Sequence, residues 1–158
     1  MSVDQSAFRA VLGRFASGVT VVTALDRRKR DVGMTVSAFA SVSLDPPLVL
    51  ICIDHSASVY NALSKATHFI ANILSERQES IARRFAESDG DRFEGIGYER
   101  GQNGAALLLD VLGYVECRVV ARHEAGDHDI IVGCVEIAEN NQGRPLLYYR
   151  GGYARLDR

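Results

Sequence analysis

The apolar positions of this chain change period several times, and each change marks an element. Phe8, Val11, Leu12 and Phe15 fall at i, i+3, i+4 and i+7, a stripe at helical period. Asp4 stands where an N-cap belongs, and Gly18 where a C′ residue would end the helix. The stripe predicts a helix docked on a sheet, covering a barrel end or helping a subunit contact. From Val19 the pattern turns β-branched, and Val19 to Leu25 reads as a strand. The polar run Asp26 to Asp31 carries four consecutive basic residues and reads as a solvated hairpin tip rather than a phosphate site.

The stretch from Gly33 to Asp54 organises the rest. Met34 to Val42 reads as one strand with small and hydroxylated side chains, Thr35, Ser37, Ala38, Ala40 and Ser41 among them. Leu48 to Ile53 is an unbroken apolar strand. Asp45-Pro46-Pro47 separates the two, since proline fixes φ and removes a donor. A strand poor in bulk but rich in hydroxyls and backbone donors suits a surface on which a flat, polar-edged group such as a flavin lies. Beyond Asp54, Ser56 and Ser58 precede Val59, Ala62 and Leu63, which predicts a short helix whose N-terminal N–H groups and serine hydroxyls could meet an anion or simply cap it.

Phe69 to Leu74 is a further strand, and Ser75-Glu76-Arg77-Gln78 fits a capping box opening a helix with Ile81, Ala82 and Phe85 inward. Arg83 and Arg84 near its end are either phosphate ligands or surface charge at a helix C-terminus. Glu87 to Gly104 reads as a long irregular loop, and long ordered loops in compact domains are often lids. Tyr114 to Glu124 alternates, with Val115, Cys117, Val119 and Ala121 on one face and Glu116, Arg118 and Arg122 on a wet one. A turn at Ala125 to His128 leads into Asp129 to Glu139, then Pro145 to Arg150 forms a last strand with Gly151 to Tyr153 as a tail. Closely spaced strands with two or three helices between them predict a single domain over residues 1–158, mostly β with peripheral helices, folded as a small antiparallel barrel whose closure hides apolar edges.

Composition narrows the function. A net charge of −2 offers no field for nucleic acid or an anionic membrane. No apolar run approaches the ~18–20 residues that span a bilayer, and the first ten residues lack a secretory pattern. Cys52, Cys117 and Cys134 are odd in number and widely spaced, as expected of free thiols in a cytoplasmic protein. His55, His68 and His123 form no metal-binding pair. There is no nucleophile elbow, phosphate-binding loop or dinucleotide fingerprint. His128, between Asp127 and Asp129 at a hairpin tip, is either a polar contact at the rim of a cofactor site or a solvent-exposed turn residue. Residues that advertise neither acid–base nor nucleophilic chemistry suit a reaction carried by a cofactor.

The blocks FASGVTVVTA, GMTVSAFASVSLDPPLVLICID, FIANILSERQESIARRFA, GDHDIIVGCVEI and PLLYYRGGY, in that order, resemble the flavin reductase-like family. The resemblance runs from about Phe8 to Tyr153 and is nearest to the reductase components of two-component flavin-dependent monooxygenases. It implies a Greek-key split β-barrel, a homodimer, and reduction of FMN or FAD by NADH or NADPH for a separate oxygenase. It also implies that Gly33, Met34, Thr35, Val36, Ser37 and Ala38 contact the flavin. Cys52, Ile53 and Asp54 would line its ring or ribityl side, and Ser58 and Val59 its phosphate. Arg84 and Phe85 match the family position after the second helix, His128 the histidine associated with nicotinamide binding and flavin reduction, and Tyr153 a C-terminal aromatic near the nicotinamide. A non-catalytic FMN- or FAD-binding carrier or electron-transfer module is the alternative, because fold does not fix function. A pyridoxine phosphate oxidase lacks support, for want of basic residues placed for two phosphates.

Overall fold

The computed structural model describes residues 2–87 and 90–157. In chain order the elements are α1 (Gln5–Leu12), β1 (Ser17–Gly18), β2 (Thr20–Leu25), β3 (Asp31–Val36), β4 (Phe39–Leu44), β5 (Pro47–Asp54), α2 (Tyr60–Leu63) and β6 (His68–Ile73). A 3₁₀ turn (Glu76–Gln78) then runs into α3 (Glu79–Ala86). They are followed by β7 (Tyr98–Arg100), β8 (Ala106–Leu108), β9 (Gly113–Ala125), β10 (His128–Asn140), β11 (Leu146–Tyr149) and β12 (Gly152–Arg155). The architecture is mostly antiparallel β with few helices, as expected.

Seven strands form one antiparallel sheet in the order β3-β2-β6-β9-β10-β5-β4. Its two end strands are consecutive in the chain. The backbone leaves one edge of the sheet at Val36 and enters the opposite edge at Phe39, with only Ser37 and Ala38 between. A sheet whose edges are joined by two residues must curl almost into a ring, leaving a seam between β3 and β4. Across it the Cys52 N–H donates to the Ala38 carbonyl at 3.1 Å. The strand expected over Met34 to Val42 is therefore two strands. Side-chain alternation does not reveal that the hydrogen-bonding partner changes from β2 to β5 midway.

The core has two parts. Val22, Ala24, Val36, Ile51, Ile53, Phe69 and Ile131 form one cluster, and Val19, Val21, Leu74, Ala82, Phe85 and Leu146 the other. Alternate residues of β2 enter different clusters, so both faces of that strand are buried, which explains its unbroken β-branched run. Asn72, fully buried on β6, ties the β7–β8 hairpin to the sheet. Its amide donates to the Val21 carbonyl at 3.0 Å and its carbonyl oxygen accepts from the Leu108 N–H at 3.0 Å. The neighbouring Thr23 hydroxyl donates to the Ala106 carbonyl at 2.5 Å.

Several expectations need correction. Helix α1 ends at Leu12 with Gly13 as its C-cap; Gly18 belongs to β1. No residue of α1 is buried, so its apolar stripe does not dock within this chain. The stretch read as an irregular loop contains β7, held antiparallel to β8. Glu116 is on no wet face: it is buried beneath the Gly101–Asn103 turn, where its carboxylate accepts from the Asn103 N–H at 2.9 Å. The expected tail forms β12, paired with β11. Among the described residues no helix is long and apolar enough to cross a membrane, and no cluster of potential metal ligands occurs. All three cysteines are free; burial pushes the Cys117 thiol up to about 12 and raises that of Cys52 as well.

Candidate functional site

The seam brings together five of the expected site residues, Ser37, Ala38, Cys52, Asp54 and His128. Ser37 and Ala38 are exposed, and among the described residues neither backbone N–H has a hydrogen-bond partner. Strand β5 faces them with alternate residues: Ile53 turns into the core, while Cys52 and Asp54 stay half-buried on the outward face. On the adjoining strand, Ile130 lies opposite Cys52 and His128 opposite Asp54. Ala38, Cys52, Asp54 and His128 thus form one continuous patch, although they come from three separate stretches of sequence.

Residues 33 to 36 are more committed. Gly33 is buried; a Cβ there would lie 3.0 Å from the Phe85 ring and 3.3 Å from Phe93. The Thr35 hydroxyl donates to the Ala82 carbonyl at 2.6 Å, fastening β3 to α3. Val36 faces the core, and Met34 is half-buried. Phe85 is fully buried and meets Phe93 edge-on at 5.0 Å, so it supports β3 from beneath.

The region of Ser58 and Val59 differs from the helical anion site that the serines suggest. Helix α2 has only four residues, and Val59 caps it without a side-chain bond. Both donors of Ser56, its N–H and its hydroxyl, are taken by one Asp54 oxygen at 2.8 and 2.9 Å. Neither arginine of α3 bonds there. Arg83 pairs with Glu79 at 2.9 Å and covers the Tyr153 ring at 5.0 Å, while Arg84 donates to the Glu94 carbonyl at 2.8 Å. Tyr153 itself sits beside Tyr148 on the three-stranded sheet β1-β11-β12, whereas His128 belongs to the seven-stranded sheet.

The cation that does reach Ser58 is Arg92, which sequence reasoning passed over. Its Nη1 donates to the Gly33 carbonyl at 2.8 Å and its Nη2 to the Ser58 hydroxyl at 2.9 Å. It thereby bridges β3 to the segment after β5. A guanidinium has five N–H donors, and no carboxylate pairs with this one among the described residues. Desolvation lowers its pKa, but an arginine stays charged. Phe93, an isolated hydrophobe in the polar stretch, was the available signal: its packing against Phe85 and Tyr98 holds the adjacent arginine in place.

A second overlooked cluster lies beside His128. Asp129 accepts from the Tyr60 hydroxyl at 2.6 Å and contacts His55 Nε2 at 2.8 Å. The Tyr60 and His55 bonds hold the Asp129 carboxyl below its usual range, while the Asp129 hydrogen bond raises the His55 pKa. A raised histidine pKa gives stability that is complete below the unfolded value of ~6.5 and is lost as pH rises through the folded value. The lowered aspartate pKa gives stability present above ~3.9 and lost as pH falls through the folded value. The pair is therefore strongest between the two folded values. His55 is expected to titrate above ~6.5 by ring NMR, and Asp129→Asn to bring its midpoint down; an unmoved midpoint would refute the assigned cause. His128 contacts Asp127 through Nδ1 at 2.7 Å.

Comparison with known proteins identifies the family. A family model described as "Flavin reductase like domain" matches residues 12–157. An FMN reductase (NADH), SmoA, from Agrobacterium fabrum is 44% identical over 155 residues, covering 98% of this chain and 88% of that protein. The reductase component of a 4-nitrophenol 4-monooxygenase/4-nitrocatechol 2-monooxygenase from Rhodococcus opacus is 42% identical over 154 residues, covering 98% and 82%. A solved structure of the Streptomyces globisporus NADH:FAD oxidoreductase SgcE6, in complex with NAD and FAD fragments, superposes with a TM-score of 0.91 at 35% identity, over 97% of this chain and 93% of that one. The chain spans only 48% of a probable flavin reductase from Rhizobium meliloti.

Proposed function

The chain belongs to the flavin reductase-like family, and on that premise we propose that it is an NAD(P)H-dependent flavin reductase that supplies reduced FMN or FAD to a separate monooxygenase. The observation that carries this reading is the seam: N–H donors of Ser37 and Ala38 without a partner among the described residues, beside Cys52, Asp54 and His128, with Arg92 bridging Gly33 of β3 to Ser58.

The residues present fit a flavin. Small side chains at Ser37 and Ala38 let a planar ring approach the backbone. Their N–H groups suit the carbonyl-rich edge of such a ring and would stabilise negative charge there. Arg92 and the Ser58 hydroxyl suit a phosphate. When bound, a flavin supplies the hydride acceptor and two-electron carrier, so the protein needs no acid–base pair of its own. Its residues bind and orient. Asp54 fixes the Ser56 turn, Thr35 fastens β3, and Phe85 supports Gly33 from below. His128, across from Asp54 on the hairpin, would make polar contact with the dinucleotide rather than act as a required base.

Purified protein with FMN or FAD is expected to oxidise NADH or NADPH, followed as loss of nicotinamide absorbance; no turnover with any pairing would remove the enzyme assignment. His128→Ala is expected to lower nicotinamide-dependent turnover about tenfold or more while flavin affinity changes less than about twofold. An unchanged rate would reject that role. A carrier would bind flavin and leave NADH untouched.

We take residues 1–158 as one domain, assembled as a homodimer. Support comes from apolar surface that nothing in one protomer covers: Phe8, Val11 and Leu12 of α1, and Leu44 of the edge strand β4, which is 94% exposed. Sedimentation of a monomer at micromolar concentration would contradict it.

A further inference from the structure

The basic run of the β2–β3 hairpin is not simply a solvated tip. Arg27, Arg28 and Arg30 line an open cleft of about 520 Å³ together with Lys65, from the segment after α2. Small-molecule sites span about 300–1,000 Å³. Asp26 pairs with Arg30 at 2.9 Å and offsets one of these four charges, so the cleft stays strongly cationic. The same carboxylate accepts from the backbone N–H groups of Arg28 and Arg30 at 2.8 and 2.9 Å, which sets the turn and the directions in which its arginines leave. Behind the charges, Leu25, Ala62 and Ala66 provide an apolar wall. Ser58 lies on the cleft's rim, and its hydroxyl is the one held by Arg92.

Resting on the flavin reading of the seam, we infer that this cleft receives the adenylate half of FAD, making FAD the preferred flavin over FMN. The placement argues for it. Ser58 belongs to both sites: one side reaches Arg92 and Gly33 of the seam, the other opens into the cleft. A ligand with its phosphate at Ser58 has two ways to end. FMN stops there, whereas FAD continues through a second phosphate to ribose and adenine. A cationic rim with an apolar wall matches a phosphate followed by a heteroaromatic base. His128 and Asp54, where the hydride donor is placed above, do not line the cleft. The adenylate of a nicotinamide dinucleotide shares this chemistry, and the experiment separates the two sources.

Dissociation constants for FMN and FAD are measured by flavin fluorescence on the wild-type chain and on Arg28→Glu/Lys65→Glu, two exposed positions, with circular dichroism as the control that the variant keeps its fold. FAD is expected to bind the wild type about tenfold or more tightly than FMN, and charge reversal to remove that advantage while FMN affinity stays within about twofold. AMP is expected to compete with FAD and not with FMN. Equal affinities for both flavins in the wild type, or an FAD advantage that survives charge reversal, overturns the inference and leaves the reductase assignment standing. A variant that raises the KM for NADH or NADPH with FMN as acceptor, but leaves FAD binding unchanged, also overturns it, because the cleft then serves the hydride donor. Failure of the wild type to bind any flavin removes the seam assignment first, and this inference with it.

Discussion

Arg92→Ala is expected to weaken flavin binding by about 10- to 100-fold, the loss of one or two charge-assisted hydrogen bonds at ~1.5–3 kcal/mol each. Two features set this arginine apart from its neighbours on α3. Arg83 and Arg84 already spend their donors, the first on Glu79 and the second on the Glu94 carbonyl. Arg92 is held in place by two neutral oxygens, Gly33 O and Ser58 Oγ, and forms no salt bridge with a carboxylate among the described residues. Arg92→Lys is the informative companion. A lysine keeps the charge as a point but cannot span both oxygens as a planar fork, so an intermediate affinity is expected. Fluorescence titration with FMN measures both. An alanine variant that binds FMN as the wild type does would reduce Arg92 to a clasp that fastens the stretch before β7 onto β3. Thermal melting of the same variants controls for a loss of fold, which is expected to be small because the side chain lies near the surface.

The second large effect belongs to the core. Asn72→Ala is expected to destabilise the protein by about 2–5 kcal/mol, since it leaves the Leu108 N–H without a partner and strips one from the Val21 carbonyl, each buried group costing ~1–3 kcal/mol. Urea unfolding reads the total. Hydrogen exchange adds the location: the Leu108 amide and the β7–β8 ladder are expected to lose protection before β9 and β10 do. Uniform loss across the sheet, or a cost below about 1 kcal/mol, would mean that the hairpin is held by its apolar contacts instead.

How much of this was legible in the residues depends on what each pattern encodes. Strand identity was, because alternation and β-branching report burial: Val19 to Leu25, Leu48 to Ile53 and the Tyr114–Glu139 hairpin all stand close to where the pattern puts them. Partner exchange was not. Ser37 and Ala38 look like two more small strand residues, yet there the chain passes from one sheet edge to the other. Glu116 illustrates a second limit. Its place in the alternation implied solvent, and only the covering turn at Gly101, whose missing side chain leaves room beside Ile70 and Glu116, shows why it is inside. Arg92 was hidden for a related reason: its partners, Gly33 and Ser58, are distant in sequence, and two hydrogen bonds of that range leave no periodic trace. The hairpin arginines were noticed but set aside, because the cleft they line is completed by Lys65 from a different element. Family resemblance supplied the expected flavin contacts, of which Ser37, Ala38, Cys52, Asp54 and His128 come together at the seam; it carried no information about the clasp or the cleft.

Reduced flavin handed over in solution also meets dioxygen, and the by-product is hydrogen peroxide at the doorstep of the enzyme that released it. Peroxide attacks thiolates, not thiols. Cys117 is wholly enclosed with its proton held to about 12, and Cys52, at the seam itself, is likewise shifted toward the protonated form. The barrel therefore favours the protonated form of these two thiols where oxidant is made, and prolonged turnover in air should leave the sulfenic-acid content at both positions close to that of resting protein.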